Sequence, residues 1–198
     1  MSNKLTRRGF VAAGISTLAL AAGPAFALTE GDARKLVQAL VTDINRVISS
    51  GKSESAMLSD FQKLFDRYAD VPVMARYALG VDGRSASRAQ MNAFTKAFSR
   101  YISRKYGRRF REFIGGEVQV KSARAIKAGY EIRCTAKLKG QAPFEVTFLV
   151  SSKSGRDKFF NMFIEGVNLL LTERTEIGAM LDKRGGDLNK LTADLKKI

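Results

Sequence analysis

The side chains that could catalyse a reaction are few in this sequence, and their usual combinations are missing. The chain contains no histidine and one cysteine, Cys134. The lack of histidine excludes a Ser-His or Cys-His nucleophile pair and an imidazole metal ligand. A single cysteine cannot form an intramolecular disulfide or a cysteine-based zinc site. Enzyme chemistry would therefore depend on Asp, Glu, Lys, Tyr or Ser.

Three carboxylates near the C-terminus are the remaining candidates for acid–base catalysis. Glu173, Glu176 and Asp182 are spaced for one helix surface. This spacing is typical of a solvated helix face, and a catalytic carboxylate pair is the alternative interpretation. The sequence has no glycine-rich phosphate loop, because Gly115-Gly116 and Gly185-Gly186 lack its flanking residues and are expected to end helices.

The chain is strongly basic, which predicts an anionic partner or surface. It has 34 Lys and Arg against 19 Asp and Glu, a net charge of +15. The basic run Arg100–Arg111 contains three aromatic residues, a combination that can indicate nucleic-acid binding. These aromatics have the helical spacing of the core face, so we expect them in the core and expect no nucleic-acid partner. Cys134 lies on the apolar phase of a strand, where we expect a buried thiol.

The first 27 residues have the pattern of a cleaved signal peptide. Three positive charges precede an apolar run of small residues from Gly9 to Ala22, and Ala25-Phe26-Ala27 supplies a cleavage signal. The segment Thr6–Val11 resembles a twin-arginine export motif, with a Sec signal as the alternative. We therefore predict a signal peptide over 1–27, one domain over 28–198, and a protein that functions outside the cytoplasm.

Hydrophobic periodicity divides the rest of the chain into helices, then strands, then helices. A helical period is found over 32–50, 54–69 and 72–79, over a long segment from Ser85 or Ser87 toward Phe110 and Phe113, and again after Glu165-Gly166. A period of two is found in 118–120, 130–138 and 144–150, and 158–164 is a dense apolar segment that we also expect to be a strand. This order predicts an α+β fold, in which an antiparallel twisted sheet of about four strands is covered by N-terminal and C-terminal helices.

Two segments, 71–79 and 158–171, are apolar on nearly every side, and the chain contains 13 Phe and 6 Met. Segments of this kind are buried on both faces or line an internal cavity. The sequence pattern favours a packed core but leaves a cavity open.

Several short segments resemble the MlaC family of periplasmic phospholipid-binding proteins, also called toluene-tolerance auxiliary components. They extend over roughly residues 32–195, nearly all of the predicted mature chain. The matching residues are Val71–Gly80, then Gln90 followed by Phe94, Phe98 and Tyr101, then Ile164–Leu169, Arg174, and Gly185–Leu188. The family often has Trp where this chain has Phe159-Phe160 and Val81-Asp82. These differences bear on which lipid the protein would bind.

The resemblance implies an α+β fold whose sheet and helices enclose an apolar pocket for acyl chains. It implies a monomeric periplasmic lipid carrier, not an enzyme, with phospholipid as cargo and no other cofactor or metal. Its implied partners are an outer-membrane lipoprotein–porin complex and an inner-membrane ABC transporter with its ring protein. The alternatives are a hopanoid or other polycyclic-lipid carrier, a small exported carboxylate-dependent hydrolase, and an envelope adaptor with a filled core.

We expect the pocket wall to come from both layers of such a fold. Val73, Met74, Tyr77, Phe94, Phe98 and Tyr101 are the candidates from the helices. Val146, Phe148, Val150, Phe163, Val167 and Leu170 are those from the sheet and the helix after it. Arg76 and Arg174 are predicted to fix loops, contact a partner or form surface salt bridges.

Overall fold

The computed structural model describes residues 28–108, 116–138 and 140–198. The predicted signal peptide lies outside the described residues, as do Phe110, Phe113 and Gly115. Six helices are found in these ranges: α1 (Glu30–Ile48), α2 (Glu54–Tyr68), α3 (Val71–Leu79), α4 (Arg88–Gly107), α5 (Leu169–Asp182) and α6 (Leu188–Leu195). None of these helices is long and apolar enough to cross a bilayer.

Local side chains determine where the helices begin. Ser87 and Gln90 form a capping box at the start of α4, in which each side chain accepts a hydrogen bond from the backbone N–H of the other residue. Asp70 caps α3, and Pro72 occupies its first turn, where a missing N–H costs nothing. The Asp70 N–H also donates to the Phe159 carbonyl at 2.7 Å, which fixes the start of α3 against the sheet.

The five strands form one antiparallel sheet in chain order. They are β1 (Glu117–Ile126), β2 (Gly129–Lys137), β3 (Phe144–Ser151), β4 (Lys158–Ile164) and β5 (Val167–Asn168). The predicted α+β class and antiparallel sheet are confirmed. The prediction of about four strands omitted only β5, because two residues are too few to show a period of two.

A tight turn joins β4 to β5 and leads directly into α5. Glu165 and Gly166 both have positive φ, at 50° and 78°. The Asn168 side chain accepts from the Leu171 N–H and so caps α5, and it also accepts from the buried Asn161 side chain on β4 at 3.0 Å. The Glu-Gly-Val-Asn segment therefore fixes the direction in which α5 leaves the sheet.

The core lies between the helices and one face of the sheet. Ile132, Cys134 and Ala136 point inward from β2, while Glu131 on the same strand faces outward and pairs with Arg124 and Arg133. The prediction that Cys134 is buried is confirmed, and burial raises the pKa of its thiol to about 12. A thiol at this pKa remains protonated and unreactive at neutral pH.

Candidate functional site

A cavity of about 440 Å³ lies between the first four helices and the inner face of the sheet. This volume is in the range of small-molecule sites, about 300–1,000 Å³. The lining residues come from α1, α2, α3 and α4, from β1, β3 and β4, from the β2–β3 loop, and from the start of α5. The cavity is therefore formed by segments that are far apart in the sequence.

The cavity wall is apolar apart from four side chains. Among the described residues, Glu165 is the one charged residue of the lining, and the other polar residues are Ser103, Tyr106 and Gln141. The apolar wall consists of Leu40, Val41, Ile44, Phe61, Leu64, Phe65, Met74, Ile102, Val118, Leu138, Ala142, Pro143, Phe144, Val146, Phe148, Phe159, Met162, Ile164 and Leu169, with Gly107 completing it. Such a wall suits a hydrocarbon, which needs no hydrogen-bond partners.

The exposed members of the lining show where the cavity opens. Gln141, Ala142 and Pro143 in the β2–β3 loop and Glu165 in the β4–β5 turn are all exposed. The deep part is formed by buried residues such as Met74 and Phe148. The site therefore has a mainly apolar interior, and its mouth carries the polar residues Gln141 and Glu165.

One polar atom in the cavity wall has no partner. The Ser103 Oγ is buried and makes no hydrogen bond to any described residue.

Gly107 lies on α4 one turn after Ser103, and a Cβ at Gly107 would come within 2.7 Å of the Leu58 side chain. The close approach of α4 and α2 at Gly107 therefore allows no larger residue without a shift of Leu58.

A polar cluster links α4 to α5 beside the cavity. The Lys105 Nζ lies 2.8 Å from the Glu173 Oε1 and also bonds to Glu176, and the Tyr106 hydroxyl donates to the same Glu173 oxygen at 2.5 Å. The prediction of a solvated carboxylate face is wrong for Glu173, which is 1% exposed. The reason is that this side of α5 faces the α4 side chains of Lys105 and Tyr106, which cover the Glu173 carboxylate and bond to it.

The environment of this cluster raises the pKa of Lys105 and of two tyrosines, Tyr101 and Tyr106. Burial raises the pKa of Tyr101 to about 12, with a further contribution from the nearby Glu173 carboxylate. Burial alone would lower the pKa of Lys105, but its bonds to Glu173 and Glu176 outweigh that effect and raise it. Lys105 therefore stays protonated and both tyrosines neutral near pH 7, which gives the cluster the character of a structural brace.

The structure brings three of the twelve predicted wall residues to the cavity. Met74 reaches it from α3, and Val146 and Phe148 reach it from β3. Five others are buried in the core without lining the cavity: Phe94, Phe98, Tyr101, Val150 and Leu170. Phe163 is partly buried and also does not line it. Core packing and cavity lining produce the same apolar periodicity, so sequence alone did not separate them.

Three predicted wall residues lie on the outer surface. Val73 is 44% exposed, Tyr77 39% and Val167 60%. Val73 and Tyr77 occupy the exposed face of α3, and Val167 is the first residue of β5, just before α5. They were predicted from an apolar segment without an obvious polar face, and the structure shows that one side of α3 is apolar and exposed.

Sequence reasoning missed the contribution of α1 and α2 to the wall. The segments 32–50 and 54–69 were predicted as helices, but their residues Leu40, Ile44, Phe61, Leu64 and Phe65, which line the cavity, were not among the predicted wall residues. Phe144, Phe159 and Met162 were missed on the sheet. The available signal was strand phase, because Phe144 shares the inward face of β3 with Val146 and Phe148.

The described residues contain no cluster of three or more His, Cys, Asp or Glu side chains that could hold a metal ion. The fold and the cavity instead define the class: a small α+β protein with an open apolar cavity between a helical layer and an antiparallel meander. The sequence model of the family described as MlaC protein matches residues 34–197. The chain belongs to the MlaC family.

A solved structure has the same fold. A phospholipid-binding protein from Ralstonia solanacearum, determined in complex with a phospholipid, superposes with a TM-score of 0.68 at 22% sequence identity. The match covers 82% of this chain and 98% of that protein. The architecture is therefore shared over nearly the whole of that structure.

Proposed function

We propose that this protein is a periplasmic lipid carrier that binds phospholipid acyl chains in the apolar cavity. The observation that carries the proposal is the cavity itself, a volume of about 440 Å³ whose described wall is apolar apart from Ser103, Tyr106 and two exposed residues at the mouth, Gln141 and Glu165. Membership of the MlaC family and the phospholipid bound to the protein from Ralstonia solanacearum support the same ligand class.

The energetics of hydrocarbon transfer match such a site. Each buried methylene group contributes about 0.8 kcal/mol, so ten of them contribute about 8 kcal/mol before entropic costs. The head group would remain at the mouth, near Gln141 and Glu165, where water can solvate it. Binding and release break no covalent bond, which is why we propose a carrier and no enzyme activity.

The carrier would exchange lipid between the two membranes of the envelope. We propose that it moves between an outer-membrane lipoprotein–porin complex and an inner-membrane ABC transporter with a ring protein, the partners that the family resemblance implies. The predicted signal peptide over 1–27 would bring it to the periplasm. Phospholipid is cargo in this proposal, and no other cofactor, metal or nucleic acid takes part.

Lipid retention in matched variants tests the proposal. We expect wild-type protein purified from the native envelope without detergent to contain phospholipid, detected by extraction and mass spectrometry. Val146→Asp places a carboxylate in the cavity wall and should abolish retention. Val167→Asp makes the same chemical change at an exposed position predicted from sequence as wall, and it should retain wild-type lipid content.

A second variant separates loss of binding from loss of folding. Ala142 is exposed at the mouth, so Ala142→Trp should obstruct the cavity without disturbing the core, and lipid content should fall while the melting temperature stays close to wild type. Lipid-free wild-type protein, or full retention in both Val146→Asp and Ala142→Trp, would contradict the proposal. A polycyclic lipid in the extract would replace phospholipid as the cargo.

A further inference from the structure

A second concave surface lies on a different face of α3 from the one that lines the lipid cavity. It encloses about 560 Å³ between α3, the 3₁₀ turn Asp82–Arg84 and α5. We call it the arginine groove, and its lining is Pro72, Val73, Arg76, Tyr77, Gly80, Val81, Arg84 and Arg174. It shares no lining residue with the lipid cavity, so it is a separate feature of the molecule.

The groove concentrates positive charge that is not neutralised locally. Three of its lining residues are arginines, and none of the described residues that line it is acidic. Within residues 28–108, 116–138 and 140–198, neither Arg76, Arg84 nor Arg174 forms an ion pair, whereas Arg124 and Arg133 on the sheet both pair with Glu131. Unpaired guanidinium groups gathered in one concave site favour an anionic occupant.

Arg174 is held in place by its neighbours. Its guanidinium carbon lies 5.2 Å from the centre of the Tyr77 ring, a cation–π contact. On another side it packs against Gly80, where an added Cβ would come within 3.1 Å of its Nη2. Gly80 has a φ of 61° and no side chain, so it both ends α3 and leaves room for the guanidinium. A guanidinium stacked in this way keeps its N–H edges available for a carboxylate.

Exposed apolar side chains accompany the arginines. Val73 and Tyr77 are one helical turn apart on α3, Val81 follows in the turn, and Leu171 lies one turn before Arg174 on α5. Exposed large apolar side chains grouped in this way indicate an interaction surface. The concave shape fits a protruding peptide segment better than a flat bilayer, which would meet the rim before it reached the groove floor.

We propose that the arginine groove docks a partner protein through a segment that combines Asp or Glu side chains with an apolar residue. The carboxylates would pair with Arg84 and Arg174, and the apolar residue would pack on Tyr77 and Val73. The inference rests on the proposed carrier function only for the reason why docking is needed. A carrier must bind the proteins that load it with lipid and unload it. Lipid content and docking are separate measurements, so either can fail alone.

Fluorescence anisotropy with a defined peptide tests the proposal. The probe is a fluorescein-labelled 12-residue peptide of four Glu-Glu-Leu repeats, and its charge-reversed counterpart is four Lys-Lys-Leu repeats. We expect the acidic peptide to bind the full protein and the basic peptide not to bind. Arg84→Glu combined with Arg174→Glu should weaken binding at least about tenfold.

Because the whole protein is basic, a matched charge control is essential. Arg100→Glu combined with Arg156→Glu makes the same change at two exposed positions outside the groove and should alter affinity less than about twofold. If Arg84→Glu with Arg174→Glu prevents folding, Arg84→Gln with Arg174→Gln replaces it in the test. We expect this second pair to weaken binding of the acidic peptide about threefold. Lipid content and the melting temperature of each variant should match wild type.

Three results would overturn the proposal. In the first, the acidic peptide does not bind; in the second, both double variants weaken its binding equally, which would mean attraction by overall charge. In the third case, vesicles of phosphatidylcholine and phosphatidylglycerol would bind through Arg84 and Arg174 while the peptide would not, which would make the occupant a membrane surface. Loss of peptide binding with lipid content intact, confined to the groove variants, is the result that we expect.

Discussion

At the scale of single residues, the most unusual group is the Glu173 carboxylate, which is almost completely buried between α4 and α5. One of its oxygens bonds to Lys105 and Tyr106, and the other, Oε2, has no partner among the described residues. A buried carboxylate depends on its cation, because removing one member of such a pair leaves an uncompensated charge.

This dependence predicts the effect of removing the cation. Lys105→Met should lower the free energy of unfolding by about 3 kcal/mol, measured by urea denaturation at pH 7. Arg100→Met on the exposed face of the same helix is the control and should change it by less than about 0.5 kcal/mol. A Lys105→Met protein as stable as wild type would contradict this dependence.

Asp43 carries a pH-dependent part of the contact between α1 and α2. A hydrogen bond of 2.7 Å from the Tyr68 hydroxyl, aided by Arg46 and Arg67, outweighs desolvation and holds the pKa of the Asp43 carboxyl below its usual value. The stabilisation is therefore present above the unfolded pKa of about 3.9 and is lost as the pH falls through the lower folded pKa.

Tyr68→Phe removes the main cause of that shift. We expect a loss of about 1 kcal/mol of stability at pH 7, and the difference from wild type should shrink as the pH falls below about 4. Urea denaturation at pH 7 and pH 3 measures both values. Tyr130→Phe is the control, because its hydroxyl has no hydrogen-bond partner among the described residues. A loss that is equal at the two pH values would contradict the role assigned to Asp43.

At the scale of elements, the pairing of β2 with β3 depends on a close approach of the two backbones at Gly129, the first residue of β2. Its φ is 148°, and a Cβ there would lie 2.1 Å from the Val150 carbonyl oxygen of β3. A side chain at this position must displace a strand. Gly155, in the β3–β4 turn, also has a positive φ of 87° but has open space around it.

The two glycines should therefore respond differently to the same substitution. Gly129→Ala should cost about 3 kcal/mol or more, because it adds a backbone collision to the conformational strain. Gly155→Ala should cost about 1 kcal/mol from the strain alone. Thermal and urea denaturation measure both, and equal costs would show that β3 can move away from β2 at little expense.

The elements were largely predictable because their boundaries are set locally. Asp70 and Pro72 begin α3, Gly80 ends it, and Ser87 with Gln90 begins α4, and each of these acts through neighbours in the sequence. Several residues that carry the family resemblance are thus caps and turns.

The position of each side chain within the tertiary structure was less predictable. Val73 and Met74 are adjacent and both apolar, yet one is exposed and the other lines the cavity.

At the scale of the whole molecule, the cavity arises from how far two layers stand apart. Residues on α1 and α2 face β3 and β4 across a gap that their side chains do not fill, although each face alone has the pattern of ordinary core. The width of the gap depends on where several helices cross the sheet and on how long the side chains between them are. The periodicity of one segment carries no such information, so sequence reasoning found the right fold and only part of the wall.

Photo-crosslinking at two phenylalanines of β4 tests the central claim most directly. Phe159 is buried in the cavity wall, whereas Phe163 lies between two wall residues, Met162 and Ile164, and so points to the other face of the sheet. Benzoylphenylalanine at either position, irradiated in cells whose phospholipids carry radioactive phosphate, should form a lipid adduct at 159 and none at 163. Absence of an adduct at 159, or equal labelling at both positions, would contradict a lipid held between the helices and the sheet.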